Sequence, residues 1–205
     1  MKYSADPFNI IIGGVGGQGN VLASMILGRM LVSQGSIVTI GETYGASQRG
    51  GSVMSHLRVS KVDQFSPLIP EGKAHLIAAL EPVEGLRMIG QYGNPDLVTL
   101  INLRPILPLD ALSGKVAYPD LSVILSKIKD LSKEVWTLKA TEIALEMGDP
   151  ILANVIMLGA LAALEILPVN RDVFNRTVAD LFVPERQTVN LKAFDSGQEA
   201  VRKEK

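Results

Sequence analysis

The chain has 205 residues, enough for one sizeable hydrophobic core. Its 20 Lys and Arg against 21 Asp and Glu leave a net charge of −1, so no basic surplus points to nucleic acid. It has no cysteine, which excludes disulfides, cysteine-ligated iron–sulfur clusters and thiol catalysis within this chain. Its two distant histidines, His56 and His75, make a poor zinc set.

Hydrophobic residues make up 47% and charged residues 20%, a balance suited to a globular chain rather than a disordered one. The N-terminus lacks a charged region followed by an apolar one, so no signal peptide is expected. These features together predict a cytoplasmic protein with no membrane contact.

The mostly apolar run Phe8–Ile12 opens a strand over residues 8–13 with apolar residues on both faces, as in a central parallel strand. The glycine-rich turn Gly13-Gly14-Val15-Gly16-Gly17-Gln18-Gly19-Asn20 follows. Val21, Leu22, Met25, Ile26, Met30 and Leu31 then recur at helical spacing over residues 20–34, and Gly35 is a plausible stop. Residues 36–40 read as a second strand, which completes a βαβ unit. Residues 41–52 read as a polar, glycine-rich loop. Over residues 53–59, Val53, Ser55, Leu57 and Val59 alternate with Met54, His56 and Arg58, which predicts an antiparallel or edge strand with one wet face. Residues 63–73, with Pro67 and Pro70, read as a surface connection.

Strands are expected at 75–80, 97–102 and 134–138, and helices at 82–91, 121–131, 141–147 and 170–182. Residues 104–119 form a proline-rich connection. The run Pro150–Ile166 is almost wholly apolar but short for a membrane span, and it carries Asn154 and Glu165. It reads as a core or interface helix. The sequence thus predicts a three-layer α/β/α fold on a mostly parallel, mixed, Rossmann-like sheet. One domain covers residues 1–195, and a polar tail over 196–205 is expected to fray.

The glycine turn is the first candidate site. Gly14, Gly16 and Gly19 fit the spacing G-x-G-x-x-G between a strand and a helix, and the first-turn N–H groups near Gln18, Gly19 and Asn20 favour an anion. Glu42, 23 residues beyond Gly19, stands where a nicotinamide-binding fold places its ribose-binding acid. One reading is therefore an NAD(P)-dependent oxidoreductase; another is that the glycines only permit close packing or contact another chain. The loop from Glu42 through Gln48, Arg49, Gly50 and Gly51 should lie beside the turn at the carboxyl edge of the sheet. Arg49 could clamp a carboxylate or phosphate there, or pair with Glu42 or another chain. Nothing in the loop forms an acid–base pair or an activated nucleophile. His56 and His75 read as structural histidines. The carboxylates Glu81 and Glu84 fit a helix N-terminus without chemistry. Asn102 and Arg104 are third-tier candidates at the same edge.

Three blocks in order, GGVGGQGNVLAS, GETYGASQRGGSVMSHLRVS and FSPLIPEGKAHLIAALEP, resemble the gamma-type domain of 2-oxoacid:ferredoxin oxidoreductases, the domain III fold of the pyruvate enzymes. The Gln48–Val53 form QRGGSV is most similar to the branch containing the beta subunit of indolepyruvate ferredoxin oxidoreductase. Tyr44-Gly45-Ala46-Ser47 departs from that branch, where His-Gly-Met-Ala is commoner. The resemblance implies a subunit of an enzyme that oxidatively decarboxylates a 2-oxoacid, aryl pyruvates foremost, to an acyl-CoA. It also implies a large alpha subunit carrying thiamine diphosphate, magnesium and iron–sulfur clusters, with coenzyme A as acyl acceptor and ferredoxin as electron acceptor. This chain alone would bind no cofactor. Gly14, Gly16, Gly17, Gln18, Gly19, Asn20, Glu42, Gln48, Arg49, Gly50 and Gly51 would contact a ligand or the partner. Isolated, the chain would be inactive and could self-associate as a homodimer through the surface meant for that partner. A non-catalytic scaffold domain is a further reading.

Overall fold

The computed structural model describes residues 5–45, 50–107 and 109–203. Its strands are β1 (Phe8–Val15), β2 (Ile37–Tyr44), β3 (Ser52–Ser60), β4 (Leu76–Ala79), β5 (Val98–Asn102), β6 (Glu134–Leu138) and β7 (Arg202–Lys203). Its helices are α1 (Asn20–Ser33), α2 (Pro82–Tyr92), α3 (Leu109–Leu112), α4 (Leu121–Leu131), α5 (Ala140–Glu146), α6 (Ala153–Ala163), α7 (Arg171–Leu181) and α8 (Pro184–Ala200). A 3-10 turn, Pro150–Leu152, leads into α6. The strands form one mixed sheet in the order β2-β3-β1-β4-β5-β6-β7. β1, β4, β5 and β6 are parallel. β3 pairs antiparallel with both β1 and β2, and β7 antiparallel with β6.

The expected three-layer arrangement is present. One hydrophobic cluster fills the sheet face under α1, α5, α6, α7 and α8, and a second fills the face under α2 and α4. β1 is central and feeds both, with Ile10 and Ile12 in the first cluster and Ile11 in the second. The most local signals give the closest matches. Pro82 begins α2 and the Glu81 side chain accepts from the Glu84 N–H at 2.8 Å, while α4 and β6 occupy the expected spans.

β2 continues through Tyr44 and β3 begins at Ser52, where a loop over 41–52 was expected, and α3 lies within the expected 104–119 connection. Three further departures alter the packing. β2 runs parallel to β1, as a βαβ unit requires, but β3 is inserted between them. The β2–β3 connection is short, so those strands pair antiparallel and β2 is displaced to the edge. β3 is therefore interior and lacks a wet face. The connection after it folds back and covers the Met54, His56, Arg58 side. Ile69 is buried there and donates its N–H to His56 Nδ1 at 3.4 Å, and Arg58 bonds Ser66 Oγ at 3.2 Å with its guanidinium over the Phe65 ring. The third departure is at the C-terminal end. Residues 184–200 form α8, and Arg202–Lys203 pair with β6, where fraying from Ser196 was expected. α8 is polar along most of its length, and it packs through a narrow set of residues, Ala193, Gly197 and Phe194, the last stacked on Phe174.

That packing makes α6 a core helix, with every residue from Ala153 to Ala162 buried. A Cβ added at Gly159 would stand 1.9 Å from the Phe194 carbonyl oxygen, and one at Gly197 would stand 1.9 Å from that of Ile156. The backbones of α6 and α8 thus touch reciprocally, and neither glycine tolerates a methyl unless the helices separate. Gly159→Ala and Gly197→Ala are each expected to destabilise the fold by about 1–3 kcal/mol. The double variant should cost less than the sum, because the first substitution already parts the helices. Urea midpoints at unchanged m-value test both statements.

Candidate functional site

α1 leaves β1 toward one face of the sheet and α2 leaves β4 toward the other, so a crevice opens between the carboxyl ends of these neighbouring strands. Open α/β sheets bind ligands at such a switch point. Here the crevice is filled by Gln18. Its Oε1 accepts from the Val15 N–H at 2.7 Å, and its Nε2 donates to the Leu80 carbonyl at 2.8 Å, so one carboxamide ties β1 to the end of β4. A Cβ on Gly14 would lie 2.4 Å from that Oε1. Gly14 is glycine to admit the side chain of Gln18, and no pyrophosphate can take the same space.

The other glycines divide by role. Gly13 faces the Met88 sulfur, 2.5 Å from an added Cβ. Gly19 has a left-handed backbone (φ 81°) and meets the Asn154 carboxamide, whose Nδ2 donates to the Gly19 carbonyl at 3.3 Å. Gly16 joins the turn to the neighbouring loop, accepting from the Gly50 N–H at 3.1 Å and donating to the Gly51 carbonyl at 2.7 Å. Gly17 has open space on its outer side. Close packing therefore accounts for Gly13, Gly14 and Gly19, whereas Gly17 and, on the adjoining loop, Gly50 have open space where a Cβ would stand. α1 has no side-chain N-cap. Asn20, 3% exposed, donates to the Val15 carbonyl at 3.3 Å, and its Oδ1 has no partner among the described residues.

The loop beside the turn is partly as expected. Gly50 and Gly51 contact Gly16, which sets this loop against the glycine turn. Gln48 and Arg49 lie outside the described residues. Glu42 overturns its expected role. It lies within β2, opposite Ser55 of β3, and accepts hydrogen bonds from the Tyr44 hydroxyl and, at 3.5 Å, the Ser55 hydroxyl. With β3 between β2 and β1, it is about 10 Å from the first strand and cannot serve as a ribose ligand for the turn.

Beyond the crevice, a cavity of about 350 Å³ is bounded by Gly17, Gln18, Arg104, Thr141, Asp149 and Ile151, among others. Arg104 is 3.7 Å from Glu142, a half-exposed pair of little energetic weight. Asn102 supports the wall, donating through Nδ2 to the Leu80 carbonyl at 3.0 Å and to the Thr141 hydroxyl at 2.9 Å. Glu81, 1% exposed, caps α2 and accepts from the Tyr118 hydroxyl. Burial, then the hydrogen bond to Glu81, pushes the Tyr118 phenol well above its ordinary value. Burial holds His56 and His75 below the usual histidine value, and His75 Nδ1 accepts from the Asn9 N–H at 2.9 Å. Among the described residues no three His, Asp or Glu side chains converge as a metal set, and no helix is long and apolar enough to cross a membrane. Arg104 is the one cation among the described residues that border this cavity. Sequence reading missed the Gln18 carboxamide and Tyr118, because each acts through a contact distant in the chain.

Gln18→Ala removes a partner from the Val15 N–H and from the Leu80 carbonyl, at an expected cost of about 1–3 kcal/mol. Amide exchange should accelerate at Val15 and stay unchanged in β6. Tyr118 supplies a pH test. Its folded value lies above its unfolded one, so its contribution to stability is intact below about pH 10 and is lost as pH rises further, when the unfolded chain releases the proton first. Denaturation across that range should show this fall in the wild type and a smaller one in Tyr118→Phe.

Residues 9–200 match the family described as pyruvate ferredoxin/flavodoxin oxidoreductase. The chain is 36% identical to indolepyruvate oxidoreductase subunit IorB of Pyrococcus horikoshii, over 95% of this chain and 96% of that protein. The fold is shared with pyruvate oxidoreductase subunit PORC of Thermotoga maritima, at TM-score 0.72 and 21% identity, over 98% of this chain and all of that one. It is shared too with 2-oxoglutarate:ferredoxin oxidoreductase of Magnetococcus marinus, at TM-score 0.75 and 18% identity, where 96% of this chain corresponds to 31% of the other. A match spanning nearly the whole sheet and its helices, from β1 to the end of α8, makes this chain a member of the pyruvate ferredoxin/flavodoxin oxidoreductase family.

Proposed function

We propose that the chain is the small subunit of a ferredoxin-dependent 2-oxoacid oxidoreductase that acts on aryl pyruvates, indolepyruvate among them. The 36% identity to an indolepyruvate oxidoreductase subunit, over nearly the full length of both chains, supports the substrate class. The observation that carries the division of labour is the filled crevice. The place where this fold would hold a dinucleotide is occupied by the chain's own Gln18.

The overall reaction oxidises a 2-oxoacid with loss of carbon dioxide, passes the acyl group to the coenzyme A thiol and gives two electrons to ferredoxin. Thiamine diphosphate with magnesium supplies the carbon–carbon cleavage and iron–sulfur clusters carry the electrons. This chain's donor set suits neither group, since it has no cysteine and its described acids do not converge. Both belong to the large subunit in this reading. The small subunit covers that subunit with its carboxyl edge, presenting Gly16, Gly17, Gly50 and Gly51. Arg49 meets an anion there, either the substrate carboxylate or a coenzyme A phosphate.

The assembled enzyme carrying Arg49→Ala should show a KM raised roughly tenfold for the 2-oxoacid or for coenzyme A, the loss expected when one charge-assisted contact worth about 1.4 kcal/mol is removed. Unchanged values for both would remove Arg49 from the site. The isolated small subunit should bind no NADH by calorimetry and show no 2-oxoacid oxidation until the large subunit is added. Tight NADH binding by the lone chain would overturn the subunit reading.

A further inference from the structure

The two edges of the sheet are built differently. β7 is two residues long and carries Arg202 and Lys203, a blunted edge. β2 has eight residues without proline or lysine, and only Glu42 is charged. Its inner side pairs with β3, and among the described residues no strand pairs with its outer side. A long, weakly charged edge is an open template for another strand.

α1 lies over this edge and is apolar around its whole circumference, with Arg29 its only charge. Such a helix is normally covered on all sides. Its inner side packs in the core. On its outer side Val21, Met25 and Val32 are exposed, Val32 at 55%, and Gly28 between them is buried. Gly28 lets Ile40 of β2 approach, with Ile40 Cδ1 2.9 Å from an added Cβ. Between α1, β2 and α7 lies a cavity of about 630 Å³ with an apolar floor of Met25, Val32, Val38 and Ile40. Arg29 and Arg176 stand at its rim with Asp180, and neither arginine makes an ion pair among the described residues. Exposed apolar surface of this kind, rimmed by polar groups, marks an interaction site.

We propose that this groove and the free edge of β2 form the docking surface for a segment of the large subunit that is apolar along its centre and acidic at its flanks. The apolar centre covers Met25, Val32 and Ile40, and the flanking carboxylates pair with Arg29 and Arg176. The proposal rests on the subunit reading above and adds which face is covered. Charge selects the occupant: two unpaired guanidiniums against one carboxylate favour an acidic partner, whereas a second copy would bring a second pair of arginines. The surface is also continuous with the candidate site. Val21 is in the first turn of α1 and Tyr44 ends β2, so a partner seated here reaches the glycine turn.

The test uses the small subunit co-expressed with the large subunit of the same source. The variants are Arg29→Glu with Arg176→Glu, Ile40→Lys, and the control Val123→Glu on the exposed side of α4, which packs under the other face of the sheet. Thermal melts check that each variant folds. The groove variants should weaken large-subunit binding roughly tenfold or more and the control should leave it unchanged. Binding of the wild type should fall with added salt, because the pairing is electrostatic at the rim. Folded groove variants that bind like the wild type overturn the docking surface and leave the subunit reading standing. A wild-type chain that does not bind the large subunit overturns both. A second copy is the occupant instead if the groove variants convert a homodimer to monomers without affecting large-subunit binding.

Discussion

The carboxyl edge is organised by one side chain, the carboxamide of Gln18. It reaches 62 residues along the sequence to the Leu80 carbonyl while holding the Val15 N–H. Two parallel strands that diverge into helices on opposite faces leave unpaired backbone groups at their ends, and buried groups of that kind are costly. The carboxamide satisfies one donor and one acceptor at once. Asn102 adds a second donor to the same Leu80 carbonyl, and Glu81, one residue on, caps the helix that follows. The crevice is thereby closed by the protein itself. A motif that in other folds cradles phosphate is used here to make a firm edge, with the open space left at Gly17 and at the cavity that Arg104 borders.

Much of this was legible in the sequence, and the parts that were not share a cause. The first strand, the glycine turn, α2, α4 and β6 are encoded locally by apolar periodicity, a proline in the first helical turn and a capping acid. The three-layer fold follows from their alternation. The placing of the 50–51 loop beside the turn also followed, because chain order in an α/β sheet puts both at one edge. The interior position of β3 was hidden because the connection that buries its second face reads as a surface segment, and Ile69 alone betrays it. α8 was hidden because its core contact is narrow: Phe194 and Ala193 are set in a polar run, and Gly197 contributes by the absence of a side chain. Glu42 sat at the right distance in sequence for a ribose ligand and in the wrong strand order, which no spacing rule detects.

The same feature separates two meanings of a glycine. At Gly14 and Gly19 the residue makes room for another part of this chain, and at Gly17 it leaves room unfilled. Sequence spacing marks Gly14 and Gly19 as the ligand-facing positions and passes over Gly17, the reverse of what the structure shows. Only the atoms that would meet an added Cβ tell them apart, and they shift the weight of the motif from a dinucleotide toward an internal lock.

The bond from Asn154 to the Gly19 carbonyl carries this further. It joins residues 135 positions apart, and with the Gln18 contact it makes the turn a meeting point of segments from both halves of the chain. Closing loops of that length has an entropic cost that only a completed core offsets. The turn is therefore in place only when β4 and α6 are also in place. Its geometry reports the integrity of distant parts of the molecule, so a partner that recognises this edge discriminates between a finished subunit and a partly folded one without touching its core.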